Sequence, residues 1–263
     1  MADQDLFQSF SYSNGCLKNR FNIHDPQALQ LVEFTIVSHQ IMILLNRNYQ
    51  IHGLDDLSSI HHFLFADLYD WAGQVRTNYD LHKRTGDFDF YAQPATTIPT
   101  AWRYIDGNLL KPLLASDQPT LDQYVEALDN INTLHPYREG NGRTTKTFLQ
   151  LIARQKGQYL HFPADQMGLI AAMNKADYAG MKGEVKLYRL DGELPKSAAE
   201  TDYYFDDRQK MLGHEKFPSL LDYRTVKDAI VFNVYEGWHP SKQDVRNVVD
   251  FYRKLWELKN NIR

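Results

Sequence analysis

His135-Pro136-Tyr137-Arg138-Glu139-Gly140-Asn141-Gly142-Arg143-Thr144-Thr145-Lys146 is a polar loop set between two strongly helical stretches, and that setting decides the fold class. Before it, Thr120 and Gln123 form a capping box, and Leu121, Tyr124, Val125, Leu128, Ile131 and Leu134 recur as one apolar stripe. After it, Asn141 opens a second helix through Phe148, Leu149, Leu151, Ile152 and Ala153, closed at Gly157. Pro136 disfavours helical geometry at the preceding residue and so pushes His135 off the spiral at the helix end. Gly140 and Gly142 permit positive φ and close approach of backbone to a ligand, and the amides of a fresh helix are unsatisfied donors at a positive dipole end. Such a segment suits phosphate. Arg143 and Lys146, three apart, can reach the same polyphosphate. Glu139 can hold Mg²⁺, which takes a carboxylate or two plus phosphate oxygens. His135, with an ordinary pKa of about 6.5, can take a proton from a hydroxyl near neutral pH.

Working outward, helical spacing marks residues 26–47, where Leu29, Val32, Ile36, Val37, Ile41 and Leu44 follow Pro26. Leu54 to Trp71 reads as another helix, with Leu57, Ile60, Leu64, Leu68 and Trp71 on one face, stopping at Ala72-Gly73. His61 and His62 within it read as structural. Helical period then fades, and Asp87-Phe88-Asp89-Phe90-Tyr91 alternates as a short strand, so residues 76–96 read as a hairpin flap. One more helix is expected from about Asp165 to Ala179. Residues 180–220 carry Gly180, Gly183, Gly192, Pro195, Gly213 and Pro218 as breakers and receive no assignment. Helical patterns return over 221–236 and 241–260.

Composition narrows the class. The chain has 263 residues, 43% apolar and 24% charged, which excludes disordered and collagen-like classes, and 16 Tyr and 14 Phe promise a core rich in rings. A formal net charge of −4 without a basic run gives no reason to expect direct nucleic-acid binding. The single cysteine, Cys16, cannot form an internal disulfide, no stretch is apolar for long enough to span a bilayer, and the acidic start is unlike a signal peptide. A cytoplasmic protein is the default expectation.

The run HPYREGNGRTTK resembles the signature of the Fic family, His-x-Phe-x-Asp/Glu-Gly-Asn-Gly-Arg-x-x-Arg. Leu17-Lys18-Asn19-Arg20, Ile60-His61 to Phe65, Tyr69 and Trp71 to Arg76 resemble Fic sequences as well, so the likeness covers roughly residues 10–190. It implies a mainly α helical bundle with a β-hairpin flap and transfer of AMP from Mg²⁺-ATP to a Ser, Thr or Tyr hydroxyl of a target protein. It further implies His135 as general base, Glu139 as Mg²⁺ ligand, Gly140, Asn141 and Gly142 as the anion hole, and Arg143 on the β-phosphate. Lys146 would serve the γ-phosphate, Lys83 would shape the nucleotide or target site from the flap, and Asn174 lies in a segment resembling the helix beside the base. The target would pair with the flap by strand addition, and by analogy could be a topoisomerase subunit; delivery into another cell is compatible with the family. Two departures stand out: Tyr137 replaces Phe, and Lys146 replaces the second Arg, keeping charge but losing the planar fork. Transfer of another phosphate-linked group, or of phosphate as in the related Doc toxins, is the alternative within the class, although Gly142 stands where Doc carries Lys. A catalytically silent nucleotide-binding protein is the alternative outside it.

Fic enzymes are commonly restrained by a helix carrying Ser/Thr-x-x-x-Glu-Gly/Asn. Here Phe232 to Gly237 is the candidate, with Phe232 where Ser or Thr is usual, and Asp228 to Ser241 resembles the small antitoxin partners of bacterial Fic toxins. The expected organisation is a Fic domain over 1–200, with its core at about 10–190, a linker over 201–220 and an antitoxin-like segment over 221–263. Glu236, followed by Gly237, is expected to contact Lys146 or Arg143 and hold the enzyme off.

Overall fold

Helix α1, Pro26–Asn46, begins where the Asp25 carboxylate accepts from the amides of Gln27 and Ala28 at 2.8 and 2.9 Å. The computed structural model describes residues 9–192 apart from 47–48, 86–87 and 164–166. The linker and the segment containing Glu236 and Gly237 therefore lie outside the described residues. Helix α1 buries Leu29, Val32, Ile36, Val37, Ile41 and Leu44, as its period requires.

Helix α2, Asp55–Phe65, is shorter than the sequence pattern suggests. Beyond Phe65 the apolar spacing persists but the backbone turns, and Arg20 takes two of the carbonyls that a longer helix would use. Its Nη1 donates to Ala66 O at 2.7 Å and its amide to Leu68 O at 2.8 Å. Leu68 and Trp71 are buried all the same. Strands β1, His82–Thr85, and β2, Phe88–Tyr91, form the expected antiparallel flap, with Lys83 opposite Phe90 and His82 opposite Tyr91.

Helix α3, Ile98–Tyr104, runs through a π-helical turn at Ile105–Leu110 into α4, Lys111–Ala115. Helix α5, Leu121–Leu134, carries the complete capping box, and α6, Asn141–Gln155, lies at the centre against α1, α2 and α5. Three threonines can sit in the core along α6 because Thr144, Thr145 and Thr147 each donate to the carbonyl four residues earlier, at 2.9, 2.9 and 2.8 Å. Phe148, Leu149 and Ile152 interlock there with Leu57, Leu64, Leu128 and Ile131, each such side chain contributing roughly 1.5–3 kcal/mol by leaving water.

The helix expected from Asp165 to Ala179 is instead two. Helix α7, Met167–Asn174, ends where Ala176 takes φ 51°, and α8, Tyr178–Glu184, starts afresh because the Asp177 side chain accepts from Gly180 N. The unassigned region supplies β4, Lys186–Arg189, antiparallel to β3, Gln158–His161. Among the described residues no helix is long and apolar enough to cross a membrane. The architecture is the expected mainly α bundle with a hairpin flap.

Candidate active site

The loop between α5 and α6 is held by contacts from three directions. His135 closes α5 in the left-handed region, φ 41° and ψ 60°, a conformation strained for a non-glycine residue. Buried Arg76 supports that turn: Nε donates to His135 O at 2.9 Å, Nη1 to Tyr79 O and Nη2 to Leu134 O, both at 3.2 Å, and Nη2 also to Gln93 O. The amide of Arg76 bonds Pro136 O and that of Gln93 bonds Thr133 O. Both feet of the flap are thus pinned to the end of α5.

Beneath the loop, fully buried His61 receives the Gly73 amide on Nδ1 at 2.8 Å, so its proton sits on Nε2 and is donated to Glu139 O at 2.9 Å. Burial holds this imidazole neutral, its pKa pushed down to about 4. Its ring stacks on Tyr137 at 3.8 Å between centroids, and the additional hydroxyl of Tyr137 lies 3.0 Å from Ser58 Oγ. Asn141 closes the loop on itself, its side chain accepting from Tyr137 N at 2.9 Å and donating to Tyr137 O at 2.8 Å. The Asn141 side chain is therefore spent on the loop, leaving its backbone for an anion.

The two glycines differ. Gly140 takes φ 82° as the cap of α6, and a Cβ there would lie 2.3 Å from Phe65 Cζ. Gly142, also expected to need special backbone freedom, has ordinary helical φ, and a Cβ on it would meet nothing within 4 Å. The first bond of the helix is Thr144 N–H to Gly140 O, so the amides of Asn141, Gly142 and Arg143 stand ahead of the hydrogen-bond ladder.

His135 donates through Nδ1 to Asn132 O at 3.2 Å, which places the lone pair on Nε2. That nitrogen is buried and has no partner among the described residues, and the Phe90 ring of the flap lies 4.9 Å away between centroids. Burial, and then the nearby Lys83 ammonium, lower the His135 pKa to about 3. Glu139, its side chain 35% exposed, accepts from Lys83 Nζ at 3.0 Å and from Gly140 N at 3.1 Å. Burial alone would raise its pKa, but Lys83, the Gly140 amide and Arg143 together bring it to about 2. It is the one acid on this loop, and among the described residues no group of three or more His, Cys, Asp or Glu could hold a metal by itself. A single ionised carboxylate that reaches solvent fits Mg²⁺, which completes its shell with phosphate oxygens and water.

Of the remaining expected residues, Lys146 is half-buried one turn beyond Arg143, and Asn174 is the last residue of α7, half-buried, on a helix packed beside β2. Arg143 is not an open cation: it is ion-paired with Glu33 of α1, with its guanidinium over Phe34 at 5.3 Å and Phe65 at 5.0 Å, and Tyr69 donates to the other Glu33 oxygen. Glu33, Arg76 and His61 have larger parts in the site than their sequence context suggested. The signal for Glu33 was a charge on the apolar stripe of α1, and for Arg76 its place in the run from Trp71.

A family model described as Fic/DOC family matches residues 51–153. The chain is 34% identical over 150 residues to protein adenylyltransferase VbhT of Bartonella schoenbuchensis, a match covering 56% of this chain and 30% of that longer protein. It is 33% identical over 155 residues to the probable protein adenylyltransferase y4lH of Sinorhizobium fredii, covering 55% of this chain and 73% of the relative. Among solved structures, BepC of Bartonella tribocorum, a VirB-translocated effector crystallised with AMPPNP, shares the fold at TM-score 0.58 and 20% identity, over 67% of this chain and 93% of that one.

Proposed function

The chain belongs to the Fic/DOC family, and on that premise we propose that it is a protein adenylyltransferase that moves AMP from ATP to a hydroxyl of a target protein. The observation that carries the reading is His135: a buried imidazole with its tautomer fixed by Asn132 and its free lone pair on Nε2, one loop away from helix amides that no ladder bond uses.

In this reading the phosphates lie over the amides of Asn141 and Gly142 ahead of the ladder, while Gly140, whose amide bonds Glu139 Oε1, makes the turn that brings the backbone close. Glu139 would hold Mg²⁺, which when bound would supply charge neutralisation to the polyphosphate. His135 Nε2 takes the proton of a Ser, Thr or Tyr hydroxyl as its oxygen bonds to the α-phosphorus, the bond from that phosphorus to the bridging oxygen breaks, and pyrophosphate leaves. The resulting imidazolium keeps its Nδ1–H donation to Asn132 O. Burial, which lowers the His135 pKa to about 3, keeps the base neutral at physiological pH. Arg143, fixed by Glu33, aims its charge toward the β-phosphate, Lys146 toward the γ-phosphate, and Asn174 flanks the base.

The flap, pinned at Arg76 and Gln93, offers a strand edge to the target backbone. Restraint by Glu236, followed by Gly237, and a cytoplasmic place of action or delivery from it into another cell belong to the same proposal, as does a topoisomerase subunit as target. Labelled ATP tests the reading. Label from the α-phosphate should pass to lysate protein with wild type, more strongly with Glu236→Ala, and not with His135→Ala. Transfer from γ-labelled ATP alone would instead assign phosphate transfer.

A further inference from the structure

The flap reaches both chemical groups of the loop through one cross-strand pair. Lys83 and Phe90 face each other in the β1–β2 register. Lys83 Nζ lies 3.0 Å from Glu139 Oε2, while the Phe90 ring lies 4.9 Å from the His135 ring. Phe90 is buried, and with Leu81 and Ala92 it makes a small apolar cluster that fixes this pair on the flap's inner side. An ammonium on a carboxylate oxygen fills, in charge and in hydrogen bonding, the position that a divalent cation needs on the same oxygen. The second oxygen, Oε1, is taken by the Gly140 amide.

We infer that Lys83 is a built-in counter-ion of Glu139 that a divalent cation must displace, so that metal loading and release of the flap lysine are one event. This rests on the reading of Glu139 as the metal ligand. The ion pair links two segments 56 positions apart in sequence, and its partners are each about one-third exposed, so that water and a cation can compete for it. The pair neutralises the one carboxylate on the loop that carries buried His135. Once displaced, the ammonium is free to turn to a phosphate or to the target. By reciprocity, whatever draws Lys83 away from Glu139 must tighten the hold on the cation by the same factor.

Two measurements on the full chain test it. In the first, calorimetric titration with ADP, with and without Mg²⁺, gives the factor by which the metal improves nucleotide affinity. That factor should rise about fivefold in Lys83→Met, because the cation no longer competes, and return to the wild-type value in Lys83→Arg. In Glu139→Gln it should fall to about one whatever stands at 83. In the second, amine acylation at Lys83 is read by mass spectrometry. Modification should be slow in metal-free wild type, faster with Mg²⁺ and ADP, and fast without metal in Glu139→Gln. An unchanged factor in Lys83→Met, together with acylation indifferent to Mg²⁺, overturns the inference while leaving Glu139 as ligand. Metal dependence that survives Glu139→Gln overturns the ligand assignment itself.

Discussion

Gly140→Ala should unfold the loop at a cost that Gly142→Ala does not share. At Gly140 the backbone sits at φ 82°, where an L-residue costs roughly 1–2 kcal/mol. The new Cβ would also lie 2.3 Å from Cζ and 2.5 Å from Cε2 of Phe65, a ring with no measurable exposure that cannot swing away. Overpacking of a dense core adds about 1–3 kcal/mol, for a total of about 2–5 kcal/mol. At Gly142 the conformation is helical and a Cβ meets open space, so alanine should be neutral or stabilising by up to about 1 kcal/mol. Urea unfolding followed by circular dichroism gives both numbers. Label transfer adds the functional half: Gly142→Ala should be folded and yet slowed at least about tenfold, because its methyl stands where a phosphate must approach the helix amides. An unfolding midpoint for Gly140→Ala equal to that of wild type would refute the argument. Full activity in Gly142→Ala would refute the phosphate site over that amide.

Replacing His61 by Phe should keep the stack on Tyr137 but strand Glu139 O and Gly73 N, destabilising by about 1–3 kcal/mol in urea and slowing transfer as Glu139 loses its support. Glu33→Ala should cost about 3 kcal/mol by leaving the Arg143 cation without its carboxylate, and adding Arg143→Met should recover much of it, a coupling that a double-mutant cycle in denaturant measures. The pH dependence has a definite sign. His61 and His135 have folded pKa values of about 4 and about 3, below the ordinary 6.5, so the unfolded chain binds more protons and stability falls as pH drops below 6.5. Between pH 7 and 5 each should remove about 2 kcal/mol, and His61→Phe should remove its share of the slope. Glu139, held at about 2, adds a further loss only below about pH 4.5.

Local chemistry accounts for how much of the molecule could be read in advance. The capping box at Thr120 and Gln123, the α5 and α6 stripes and the flap alternation are short-range patterns; the first two stand in the structure as written, and the third stands as a strand over Phe88–Tyr91, Asp87 lying outside the described residues. The antiparallel pair of β3 and β4 was invisible, because Lys186–Arg189 has no strong period and becomes a strand only by finding Gln158–His161 across the fold. The missing end of α2 and the break at Ala176 have the same origin. Spacing alone continues a helix, whereas Arg20 capturing carbonyls from 46 and 48 positions away, or Asp177 starting a new cap, ends it.

At the site, the order His135, Glu139, Gly140, Asn141, Gly142, Arg143 is contiguous, so the sequence by itself determined which groups would share one loop and what chemistry they could offer. Who supports and occupies those groups is a matter of distant partners. Folding chose His61 rather than solvent beneath Glu139, Arg76 to hold His135 in a left-handed turn, Glu33 to engage Arg143 and Lys83 to sit on the Glu139 carboxylate. Each of those contacts joins residues between 56 and 110 positions apart. No periodicity or motif spans such a distance, and only the closing of the bundle around α6 brings their charges and hydrogen-bonding groups within reach of one another.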